Sequence, residues 1–183
     1  MNAAKVQLSK EELALVCDPG WILTKNSIIG RAVELLAALS GDISGELLTL
    51  KGVIEVLTGK IEAAGGKEEP LPPNWATPKI SKGENYLGLP YVVLDYPRLF
   101  RKENVLAIRT MFWWGHYFSV TLHLKGRYKD LFLPVIKSCL PQLMEAGFHI
   151  AVTGDEWRHE VETDNYSLLE MGGMHTAEER PFL

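Results

Sequence analysis

Hydrophobic residues in the first third of the chain recur at helical spacing. Ile22, Ile29, Val33 and Leu36 step by seven, four and three, and Leu47, Leu50, Ile54, Leu57 and Ile61 step by three, four, three and four. Each set is one apolar stripe of a helix. Ahead of them, Ser9-Lys10-Glu11-Glu12 has the form of a capping box, in which the serine oxygen accepts an amide and the glutamate returns a bond to the cap. The pattern predicts three helices: a short one from about Lys10 to Cys17, one opened by Asp18-Pro19 and reaching about Leu39, and one ending near Ala64 before Gly65-Gly66. Ser40-Gly41-Asp42 is expected to separate the second from the third.

From Gly65 to Gly83 the chain holds four prolines and three glycines, which neither helix nor sheet tolerates, so this stretch is expected to be a connector. Beyond it the period changes to two. Pro90 to Asp95, Val105 to Trp113 and His116 to Leu124 are β-rich runs, and Asp95-Tyr96-Pro97-Arg98 is expected to close the first as a turn with an internal Asp–Arg pair. In the third run Phe118, Val120, Leu122 and Leu124 alternate with Tyr117, Ser119, Thr121 and His123, the split of a half-buried strand whose apolar side meets the core. Gly115 makes the last two runs either a tight hairpin about Trp114-Gly115-His116, which we prefer, or one long bulged strand.

Lys129 to Leu140 has helical spacing, with Pro134 near its first turn and Pro141 ending it. Phe148 to Val152 reads as a strand, Trp157 to Glu162 as its returning partner, Asn165 to Met171 as a weaker segment, and the chain from Gly172 on as a loose tail. The fold expected is α+β: a helical N-terminal segment of three helices, then an antiparallel sheet of about four or five strands with the Lys129–Leu140 helix on one face. One domain is expected over residues 1–183, divided into 1–64 helical, 65–83 connector, 84–171 sheet plus helix, and 172–183 tail.

Charge and composition narrow the function classes. No apolar run approaches the roughly 20 residues of a spanning helix, and Met1 to Glu12 lacks a signal-peptide core, so no membrane and a cytoplasmic location are expected. Cys17 and Cys139 are too isolated for a disulfide framework or zinc ribbon and are expected to be reduced and partly buried. The net charge is −4, but Pro90 to Leu140 carries 8 positive and 3 negative residues, net +5, whereas Pro141 to Leu183 carries 2 positive and 9 negative, net −7. The two segments are expected to neutralise each other, which makes nucleic acid an unlikely partner.

The motif search returns mostly absences. His116, His123, His149, His159 and His175 lack ligand spacing, so no metal and no cofactor is expected. There is no G-x-S-x-G, no GxxxxGK[ST] and no GxGxxG. What remains is the polar side of the sheet. A hairpin would set Arg109 beside Thr121 or His123, and with Tyr117 these side chains form a candidate binding wall for a carboxylate or phosphate, Lys125 or Arg127 lying nearby. Phe112, Trp113, Trp114 and Phe118 are expected to be core or interface anchors. The first functional expectation is a non-catalytic interaction or structural protein that meets a protein partner or another copy of itself. The alternative is a small-molecule-binding protein or enzyme taking an anionic ligand at the polar sheet face.

Overall fold

The computed structural model describes residues 7–63, 72, 74–162 and 164–170. Helix α1 (Lys10–Cys17) carries the capping box: Glu12 N donates to Ser9 Oγ at 3.1 Å and Ser9 N to Glu12 Oε2 at 2.7 Å. None of its residues is buried, and the Trp21 indole ties it down by donating to the Leu15 carbonyl at 2.9 Å.

Helix α2 (Pro19–Ala63) is a single helix of 45 residues, about 67 Å long at 1.5 Å per residue. It runs straight through Ser40-Gly41-Asp42, where the local sequence suggests a stop. Packing decides this. Ile29 and Leu36 before that point and Leu47 and Ile54 after it are all buried in the same helix–sheet layer, so a break would lift one set off the sheet. Glycine in a helix costs only about 1 kcal/mol against alanine, less than one buried leucine contributes. The side chains of Leu57 and Ile61 lie outside the described residues.

Four strands follow as an antiparallel meander: β1 (Lys79–Tyr86), β2 (Leu89–Phe100), β3 (Val105–Trp113) and β4 (Phe118–Lys125), in spatial order β1-β2-β3-β4. The α+β class and the antiparallel sheet are thus as the sequence indicates, but β1 lies largely inside the stretch read as connector. Gly83 belongs to this strand because the Tyr91 ring crosses it, and a Cβ there would sit 2.5 Å from the ring. Asp95-Tyr96-Pro97-Arg98 is not a turn. It lies within β2, where the register shifts between Asp95 and Arg98 around a cis Tyr96–Pro97 peptide. Arg98 turns to Thr77 and Asp95 to Arg109, so the expected internal pair is replaced by two long-range ones. The preferred hairpin is present: Gly115 takes φ 76°, and Trp113 N donates to the Tyr117 carbonyl at 3.0 Å.

Helix α3 (Arg127–Ser138) starts before the expected point, which places Pro134 in its body, and the short α4 (Leu140–Glu145) follows. Strand β5 (His149–Ala151) pairs with β6 (Tyr166–Leu168), so the returning strand lies in the segment read as weaker, while Trp157 to Glu162 is non-strand chain. Residues 171–183, with His175, lie outside the described residues.

Helix α2 covers one face of the sheet. Ile29, Ala32, Leu36 and Leu47 pack on Val92, Leu94 and Tyr96; farther along, Ile54 with Trp75 and Tyr128 closes over Leu99, Leu106 and Leu124. The layer reaches β4 only at Leu124, and the rest of that strand extends beyond the cover of a helix about 10 Å wide. Hence β4 meets expectation only at Leu124, which is 1% exposed: Phe118, Val120 and Leu122 on the same side are 49%, 67% and 45% exposed, while His123 on the polar side is 8% exposed. Both cysteines are exposed rather than partly buried. No helix among the described residues is long and apolar enough to cross a membrane.

Candidate functional site

The polar side of the sheet is a closed network rather than a vacant wall. Arg109 and Asp95 are register partners on β3 and β2, and the guanidinium grips the carboxylate with Nε–Oδ1 at 2.7 Å and Nη2–Oδ2 at 3.0 Å. Its third nitrogen meets His159 Nε2 at 2.8 Å. Arginine can only donate, so Nε2 accepts and the imidazole proton sits on Nδ1. That nitrogen is buried without a partner among the described residues. The Phe100 and Trp157 rings each lie 5.8 Å from the guanidinium carbon, completing its enclosure.

Burial sets the protonation states. His159 is pushed down to about 4, first by desolvation and then by the charge of Arg109. His123 is also lowered by desolvation, against the opposing pull of Glu156, so its 3.1 Å contact with Glu156 Oε2 is a neutral imidazole donating to a carboxylate. Lys125 supplies the charge for that carboxylate at 3.1 Å. Tyr86 is raised to about 12 by burial and by its hydrogen bond to Glu160, and it receives the His159 amide at 2.7 Å. The basic middle of the chain and the acidic end thus meet in Lys125–Glu156, as the opposed charges of the two segments suggest.

Beside this network lies a cleft of about 670 Å³, running along β4 with Val135, Leu143, Phe148 and Ile150 on its far side. Its near side is the last strand of the sheet. The Trp113–Tyr117 bond fixes which residues of β4 bond back to β3: by antiparallel alternation they are Tyr117, Ser119, Thr121 and His123. Phe118, Val120 and Leu122 therefore turn their N–H and C=O groups outward, and among the described residues these groups have no backbone partner. These three residues are also the exposed apolar ones on the strand.

Of the residues singled out from sequence, Arg109 and Thr121 are direct register partners, as the hairpin requires. Tyr117, Thr121 and His123 line the cleft, while Arg109 is spent behind it on Asp95 and His159. The Tyr117 hydroxyl accepts the Val161 amide at 2.6 Å. The aromatic cluster is divided between the two faces. Phe112 contacts Phe118 at 5.0 Å on the α2 side, and Trp113 stacks on His116 at 3.6 Å on the other. Sequence reasoning missed Tyr86, Glu156 and His159 as members of this network, since each reaches its partner across more than thirty residues of chain. The charge asymmetry was a signal for Glu156 alone. Among the described residues, no three His, Cys, Asp or Glu side chains gather as a metal site. Set against known proteins, the chain matches no family model, no curated protein and no solved structure.

Proposed function

We propose that this chain is a non-catalytic interaction module that takes up an extended segment of a partner polypeptide along β4. The observation that carries this reading is the coincidence, on one strand, of outward backbone groups and exposed apolar side chains at Phe118, Val120 and Leu122, facing a cleft. Strand addition uses both: main-chain bonds supply affinity, and alternate side chains supply selectivity. Seven residues, Phe118 to Leu124, offer roughly 20 Å of edge at 3.3 Å per residue. An anionic small ligand finds less support, because the guanidinium of Arg109 already holds a carboxylate and an imidazole.

Proline substitution tests it. Val120→Pro deletes an outward N–H and leaves the β3 ladder whole, a position where edge strands accept proline. Decapeptides enriched from a random displayed library on the wild-type chain should lose binding to Val120→Pro and keep it with Val120→Ala. A library that enriches nothing, or peptides indifferent to the proline, would overturn the reading.

A further inference from the structure

The two sides of a strand lying on β4 would meet unlike surroundings. On the α2 side its side chains fall next to Phe118, Val120 and Leu122, with Val135 across the cleft. On the opposite side they fall next to Ser119 and Thr121, under the chain from Thr153 to Glu162. That chain contains Asp155, Glu156, Glu160 and Glu162 against one arginine, Arg158, for a net charge of −3.

Most of the cationic charge near this wall is already committed. Arg158 is paired with both Glu160 and Asp164, Lys125 is held by Glu156, and His123 and His159 are held neutral by burial. Asp155, which lines the cleft, is exposed; its Oδ1 accepts only the Trp157 amide, so its charge is uncompensated by any described cation within contact. With Glu156 and Glu160 themselves paired to Lys125 and Arg158, the wall is apolar on one side and presents the negative charge of Asp155 on the other.

Resting on the strand-addition reading, we infer that the segment recognised alternates apolar and cationic residues, its apolar positions on the α2 side and its lysines or arginines toward Asp155. Period-two alternation is what a strand needs to present two chemistries to two faces. Rim charges of this kind select among partners and speed encounter more than they add affinity.

Three capped heptapeptides with fluorescent labels separate the two levels of the reading: alternating Val-Lys, alternating Val-Thr and alternating Val-Glu, titrated by anisotropy against the full chain at low salt. The expected order is Val-Lys tightest and Val-Glu weakest, with roughly a tenfold span that shrinks as salt is raised. Asp155→Lys should cancel or invert that order, whereas Asp155→Asn should only narrow it. Equal binding of all three, sensitive to Val120→Pro, would overturn the charge preference and leave strand addition standing. Binding by none of them, or binding indifferent to Val120→Pro, would overturn both.

Discussion

Arg109 holds Asp95 by two parallel hydrogen bonds across neighbouring strands, and Asp95 is only 7% exposed. A carboxylate so placed depends on its partner. Arg109→Leu should cost about 3 kcal/mol, because it leaves a buried charge uncompensated, while the double variant D95L/R109L should cost clearly less than the sum of the two single changes. Urea denaturation of the four proteins measures this; additive losses would mean the pair is not coupled.

His159 makes stability depend on pH. Its folded pKa of about 4 lies below the ordinary 6.5, so between those values the unfolded chain binds a proton that the folded chain refuses. Stability from this group is full above pH 6.5 and declines as pH falls toward 4, by at most roughly 3 kcal/mol. His123, lowered for the same reason, adds a slope of the same sign. Denaturation midpoints of wild type and His159→Gln across this range should diverge in slope, the glutamine keeping an acceptor for Arg109. Parallel curves would show that the imidazole is not held neutral.

Leu36 and Val120 test which part of the apolar pattern is core. Leu36 is 1% exposed between α2 and the sheet, so Leu36→Ala should cost roughly 2–5 kcal/mol. Val120, at 67% exposed, should cost under about 0.5 kcal/mol on truncation to alanine. Thermal melts separate the two outcomes readily, and a large loss at Val120 would mean that its face is covered.

Gly41 tests the continuity of α2. A Cβ there meets nothing within 4 Å, so Gly41→Ala should stabilise the protein by about 1 kcal/mol if the helix passes through. A chain that broke at this position would gain nothing, or would lose stability.

The elements with a regular period were the legible ones. The capping box at Ser9, the β3–β4 hairpin and the Arg109–Thr121 pairing followed from local pattern and from the arithmetic of two-residue alternation. The unbroken α2 and the strand status of Asp95 to Arg98 did not follow, because in both places distant packing outweighs strong local turn signals. The polar wall was half legible. Its β4 members could be read from alternation, but its lid from Thr153 to Glu162 has no period at all, and His159 reaches Arg109 across fifty residues. How far the apolar face of β4 is buried depends on where α2 passes over the sheet, a tertiary quantity absent from the strand itself.

An unsealed strand is ordinarily an invitation to stick to any other sheet. Here α3, α4 and β5 stand across from it, with Val135, Leu143 and Ile150 bounding the same cleft. A folded sheet approaching β4 would bring its bulk against these elements, whereas a single extended chain would not. On the strand-addition reading these elements would act as a sieve on conformation, favouring tails and linkers over finished domains.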